Sequence, residues 1–274
     1  MPLLVHWNEL TREDFKTLLQ KESVVVGCFD STEQHSLHLP VGTDAFLGQA
    51  VVCEAARRSK AAVIALPPVY YGYSPHHRFT NGFLTVSQRT LMDYAKDIAL
   101  SVRANGFKRL AFINAHGGNT VYLNAVVNEV GELYCDDFKF VSFHIHSMTD
   151  EIVRIRTSNL GGIGHAGELK TSLMMYLHPE LVRVEKIKEY APTPQDKWYC
   201  YDTFGKRRYH MYRNMNNINP EGNNGQPQYA TRELGERFFN AMSDGMAAFF
   251  NEFSRGDWRE DLKHHQSETE RGAS

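Results

Sequence analysis

The stretch Arg109-Leu110-Ala111-Phe112-Ile113-Asn114-Ala115-His116-Gly117-Gly118-Asn119 decides the fold. Its apolar run, Arg109 to Ala115, reads as a strand, and it stops on a histidine and two glycines that turn the chain into a helix. That helix is expected from about Asn119 to Tyr134 and feeds another strand, Phe138 to His146. The same pattern runs upstream. Val24-Val25-Val26-Gly27-Cys28 is a buried strand closing in a polar loop, Ala45 to Arg58 has helical spacing, and Ala61 to Leu66 is a second apolar run stopped by Pro67-Pro68. Ser87 caps a helix that runs to about Asn105-Gly106 and delivers the chain to Arg109. Strand and helix alternate throughout, which predicts an α/β fold with a mainly parallel sheet covered on both faces. In such sheets ligands bind beyond the carboxyl ends of the strands, and both His35 and His116 fall just past such ends.

Between about Ile187 and Tyr229 the periodicity fails. Pro, Asn and Gly mix there with Trp198, Tyr199, Tyr201, Tyr209 and Tyr212 and with the basic cluster Lys206-Arg207-Arg208, which fits a lid or a subunit contact better than a core. A helix resumes from about Thr231 to Phe253, with Leu234, Phe238, Met242, Met246 and Phe249 at core spacing. Residues 1–256 read as one domain, and 257–274 as a polar, frayed tail.

With 274 residues, 42% of them hydrophobic, the chain can bury a full core. The 30 basic and 32 acidic residues leave a formal net charge of -2, which gives no electrostatic footprint for nucleic acid or an anionic membrane surface. No apolar run approaches the ~20 residues of a membrane helix, and no signal-like segment opens the chain, so a cytoplasmic location is expected. Cys28, Cys53, Cys135 and Cys200 are far apart and form no C-x-x-C pair, which argues against a disulfide scaffold or a thiolate zinc site. The expected partner is a small molecule.

Three segments can carry chemistry. From Thr32 to Asp44, one connection holds Glu33, His35, His38 and Asp44; Glu33 and His35 are two apart and share a face if extended, and Asp44 can return at the next helix start. Alone, this also fits a solvated loop with a helix-capping Asp44. The second segment is Asn114 to Asn119, where a phosphate-gripping loop would want a lysine or a longer glycine pattern. The third, Gly164-His165-Ala166-Gly167-Glu168-Leu169-Lys170-Thr171-Ser172, sets a histidine and a carboxylate at a helix start, where Glu168 could simply complement the dipole. Three such segments at three helix entries favour a metal centre of carboxylates and imidazoles, a donor set suited to Zn, Mn or Fe(II). A zincin protease is disfavoured because no H-E-x-x-H occurs.

Together these segments resemble the creatininase family over roughly Trp7 to Leu177, through Glu33-x-His35, Leu39-Pro40 to Thr43-Asp44, Asn114-x-His116-Gly117-Gly118-Asn119 and His165-Ala166-Gly167-Glu168 with Thr171-Ser172. The resemblance implies a three-layer α/β/α sandwich and two divalent metal ions per chain, Zn first with Mn or Fe as alternatives. It implies that Asp44 bridges them and that Glu33, His35, His116 and Glu168 complete the ligands, with a bridging water as nucleophile. It assigns His165 the proton transfer from nucleophile to leaving group, the alternative being that His165 only orients a ligand by hydrogen bonding. It also implies a homo-oligomer, often a hexamer.

The chain departs from the family pattern at places that bear on substrate. His35-Ser36-Leu37-His38 stands where many relatives read His-Gly-Pro-His, His76 where they commonly carry Glu, and Thr80-Asn81 where they carry Phe-Pro. His77, Tyr73 and Trp198 are candidate substrate contacts, and His144 and His146 either line the pocket or cap the sheet edge. The expected activity is hydrolysis of a small polar cyclic amide or formamide. Carbon-carbon ring opening of a keto-inositol is the enzymatic alternative, and a non-catalytic metal-containing binding or assembly subunit the non-enzymatic one.

Overall fold

The structure is a computed structural model and describes residues 4–256; the expected polar tail lies outside them. Five strands, β1 (Leu4–His6), β2 (Ser23–Phe29), β3 (Ala62–Ala65), β4 (Arg109–Asn114) and β5 (Lys139–His144), form one sheet in the order β1-β3-β2-β4-β5. Every neighbouring pair is parallel. The helices are α1 (Arg12–Leu18), α2 (Thr43–Arg58), α3 (Gln88–Ala104), α4 (Thr120–Tyr134), α5 (Glu151–Ile155), α6 (Glu168–Leu177) and α7 (Arg232–Phe253).

Because successive side chains of a strand point to opposite faces, the central strands feed two separate cores. Val24, Val26 and Cys28 of β2 and Ala111 and Ile113 of β4 pack with Leu47 of α2, Leu173 of α6 and Phe238 and Met242 of α7. Val25 and Phe29, with Leu110 and Phe112, face Leu91 of α3 and Leu123 and Val126 of α4. The result is the expected three-layer α/β/α architecture. On the first face α7 lies against α6 so closely that a Cβ on Gly235 would fall 1.9 Å from the Ser172 carbonyl oxygen, so the contact requires glycine there.

Strand order explains where a site can form. From β2 the chain passes through α2 to β3 on one side, whereas from β4 it passes through α4 to β5 on the other. Since α2 and α4 belong to opposite cores, the connections leaving β2 and β4 diverge and open a crevice at their carboxyl ends. The loops after these two strands carry Glu33, His35 and His116.

The start signals read from the sequence behave as their chemistry dictates. Ser87 Oγ accepts from Thr90 N at 3.1 Å, and Thr231 Oγ1 accepts from Leu234 N at 3.0 Å. All four cysteines are free, and among the described residues no helix is long and apolar enough to cross a membrane.

Candidate metal centre

The connection from β2 to α2 is buried along most of its length. Glu33, His35 and Asp44 have no exposed surface, and Asp44 enters the first turn of α2 without capping it. Its carboxylate turns to side chains instead: His35 Nε2 lies 3.0 Å from Oδ1, and His116 Nδ1 lies 3.3 Å from Oδ2. Glu33 Oε1 is the hub. It stands 3.2 Å from His116 Nδ1, 3.3 Å from His77 Nε2 and 3.4 Å from His165 Nδ1.

Hydrogen bonds on the far side of each ring fix which nitrogen faces inward. His116 donates Nε2–H to the Tyr73 carbonyl at 3.0 Å, His35 donates Nδ1–H to the Glu33 carbonyl at 3.1 Å, and His165 donates Nε2–H to the Gln34 carbonyl at 2.7 Å. His116 Nδ1, His35 Nε2 and His165 Nδ1 are therefore the lone-pair atoms turned to the centre. His77 differs. Gln34 donates to its Nδ1 at 2.8 Å, so the neutral ring carries its proton on Nε2, facing Glu33.

The backbone is bent to hold this arrangement. Ser36 and Ala166, among the described residues the non-glycine ones with positive φ (59° and 52°), directly follow His35 and His165. Such conformations cost about 1–3 kcal/mol each and persist where surrounding contacts over-determine them. Gly118 explains the second glycine of the turn after β4: a Cβ there would fall 2.3 Å from His116 Nε2 and 2.4 Å from the Tyr73 carbonyl oxygen, the pair that orients the ligand ring. The close approach inferred from the sequence is made to the ring itself.

Charge follows from burial and neighbours. Burial alone would raise the Glu33 pKa, but His116 and His77 outweigh it and hold it well below the usual carboxylate range. Asp44 is likewise held low against burial, by Lys170 and then His35. Burial opposes a charge on His116, yet Glu33 and Asp44 push its pKa up to about 10. Burial, then His35 and His77, take His165 well below the usual imidazole value.

The structure thus brings together Glu33, His35, Asp44, His116, His165 and His77. The carboxylate of Glu168 is placed elsewhere: it accepts from Thr157 N at 2.6 Å, from Ser158 N at 3.1 Å and from the Ser158 hydroxyl. The Tyr73 side chain packs on Tyr122, with ring centroids 4.8 Å apart, and only its carbonyl serves the centre. Trp198 is half exposed, between Lys197 and Arg208. His144 and His146 lie ring against ring, 4.0 Å apart, at the carboxyl end of β5, where burial holds His146 at about 4.

Three contributors went unassigned in the sequence. His76 stacks on His116 at 5.5 Å and 6° and has a ring nitrogen within ligand spacing of Glu33 and His116. Gln34 links His77, the Gly222 carbonyl at 2.9 Å and the Ser36 amide at 2.7 Å. Lys170 places its ammonium against Asp44 Oδ1 and 3.0 Å from His35 Nε2. The irregular segment reaches the site, where Asn224 N donates to the His165 carbonyl at 2.8 Å and Asn223 Nδ2 to the Ala166 carbonyl at 3.0 Å.

The donors have the chemistry of divalent-cation ligands. Glu33 Oε1 and Asp44 Oδ2 are buried with no hydrogen-bond partner, although imidazole nitrogens stand within 3.4 Å of both carboxylate oxygens. Atoms that crowd one another without forming hydrogen bonds are converging on a common point, as ligands do. Each group with ligand spacing among the described residues includes Glu33.

A parallel α/β/α sandwich with a carboxylate–imidazole cluster at its switch point defines a class of metal-dependent hydrolases. The chain belongs to the creatininase family, whose sequence model, described as creatinine amidohydrolase, matches residues 8–250. It is 25% identical over 225 residues to a mycofactocin precursor peptide peptidase of Mycobacterium ulcerans, covering 78% of this chain and 79% of that one. A 3-dehydro-scyllo-inosose hydrolase of Thermotoga maritima is 24% identical, with 67% of this chain and 60% of that one covered. Among solved structures, a creatinine amidohydrolase (creatininase) superposes with a TM-score of 0.75 at 25% identity over 92% of this chain and 99% of its own.

Proposed function

We propose that this creatininase-family hydrolase cleaves the C–N bond of a small polar amide, cyclic or formyl, at a metal centre held by Glu33, Asp44 and His116. The observation that carries the reading is the convergence of Glu33 Oε1, Asp44 Oδ2 and His116 Nδ1 beside the inward lone pair of His165. When bound, a divalent cation would supply Lewis-acid polarisation of a carbonyl and acidify water near neutral pH.

His165 does the proton work. With Nε2–H committed to Gln34, Nδ1 is free to accept, and a pKa held well below the ordinary value keeps the ring neutral and makes its proton easy to return. A proton accepted there passes to the departing nitrogen. Glu33 and Asp44 stay ionised for binding, and their burial keeps bulk water from competing. Ring opening of a keto-inositol is the second reading, favoured by the likeness to the inosose hydrolase. Exposed Trp198, Tyr209 and Tyr212 support a homo-oligomer, with a hexamer the assembly implied by resemblance.

The test is elemental analysis of the purified protein with a turnover screen of creatinine, other cyclic amides, formamides, short peptides and keto-inositols. Bound metal with amide turnover is expected. Turnover of the keto-inositol alone would move the reading to the second branch, turnover of peptides alone would replace the small amide, and absence of metal would remove the centre.

A further inference from the structure

Lys170 lies on the first turn of α6, and its ammonium is thrust into the metal cluster. It donates to Asp44 Oδ1 and stands 3.0 Å from His35 Nε2, the lone-pair nitrogen of that ring. These two acceptors are only 3.0 Å apart with no proton of their own to share. Two buried acceptors at that distance need a cation between them. Lys170 provides it.

This is the place a second metal ion would take. It would have to share Asp44 with the first ion and draw on His35, and the ammonium already occupies both. Glu168, the remaining carboxylate near α6, is held by Thr157 and Ser158. A second divalent ion would also sit beside a cation in a largely buried site, where repulsion between like charges is less screened than in open solvent. The other half of the cluster is unobstructed: Glu33 Oε1, Asp44 Oδ2 and His116 Nδ1 face one another with no such occupant, and His76 is close enough to add a nitrogen.

We propose that the centre takes one divalent ion and not two, and that the Lys170 ammonium is a built-in replacement for the second. This rests on the metal-dependent reading above. Asp44 then joins a metal to an ammonium, and His35 orients the lysine.

The experiment is metal titration of the chelator-stripped full chain with Zn²⁺ and, separately, Mn²⁺, followed by elemental analysis after desalting and by calorimetry. One equivalent per chain is expected for the unmodified protein, and two for Lys170→Glu, in which a ligand replaces the ammonium. Lys170→Met, which keeps the aliphatic stem, is expected to admit a second, weaker equivalent. Two equivalents in the unmodified protein would overturn the proposal even if both variants failed to fold, and so would one equivalent in folded Lys170→Glu. Amide turnover by a two-metal protein would leave the proposed function standing while this inference fell. One metal without turnover of any substrate would do the reverse, and no metal at all would end both.

Discussion

His116 Nδ1 stands 3.2 Å from Glu33 Oε1, and the same nitrogen faces Asp44 Oδ2 at 3.3 Å. Without metal, the two carboxylates outweigh burial and favour a second proton on the ring, which is why the His116 pKa rises to about 10. Metal must displace this proton. Titrating Zn²⁺ into the metal-free protein between pH 7 and 8 in two buffers of different ionisation enthalpy should show about one proton released from His116 per ion bound. Affinity should weaken as pH falls, and pH-independent binding without proton release would contradict this.

The same pairing sets the stability of the metal-free protein. The His116 pKa is raised in the folded state, so its contribution is full below the ordinary imidazole value near ~6.5 and is lost as pH climbs through about 10. Glu33 and Asp44 are depressed, so theirs is present above about 4 and is lost as pH falls through their low folded values. These are two views of one interaction and count once. Metal-free protein should therefore melt highest between about pH 4.5 and 6.5, and metal should flatten the alkaline side. Melting curves taken from pH 4 to 10 with and without Zn²⁺ decide it.

Replacing His165 separates proton transfer from metal binding. His165→Gln should lower kcat by ~10²–10⁴-fold while leaving metal content unchanged, because Glu33, Asp44 and His116 are intact. An equal fall in bound metal would instead make His165 a ligand.

Much of this was legible because burial writes itself into strands. The continuous apolar runs at β2 and β4 are there because both faces are covered, and the polar loop after β2 announced Glu33, His35 and Asp44. β1 and α1 went unread: three half-buried edge residues and a seven-residue helix carry too little periodicity. Lys170 was hidden for a different reason. A lysine three residues into an amphipathic helix looks like a solvated charge, and only the packing of α6 against α2 turns it toward Asp44. Glu168 shows the converse, since a carboxylate after a histidine resembles a ligand whether it turns to the cluster or to Thr157 and Ser158.

Gly222 has a role that spacing could not show. Its φ is +74°, and a Cβ there would fall 2.3 Å from Gln34 Oε1. Gly222→Ala should cost ~1–3 kcal/mol of backbone strain, a loss of several degrees in melting temperature. It should also push Gln34 off His77 and the Ser36 amide. Gln34→Ala should reproduce the loss of activity, on the order of 10–100-fold, without the backbone strain. Equal melting temperatures for the two variants would refute the assignment of strain to Gly222.

Glu168→Ala distinguishes a ligand from a clamp. The carboxylate is fully buried and satisfies two backbone N–H groups and a hydroxyl of the 157–158 turn, which Arg156 ties onward to Asp202 at 2.8 Å. Removing it strands those donors at ~1–3 kcal/mol each, so the melting temperature should fall by far more than at a surface site. Because the Glu33, Asp44 and His116 donors do not depend on it, the metal count of the folded fraction should not change. Loss of one equivalent with little change in melting temperature would instead place Glu168 among the ligands. The two quantities move in opposite combinations, so one sample of the variant, measured for both, decides between them.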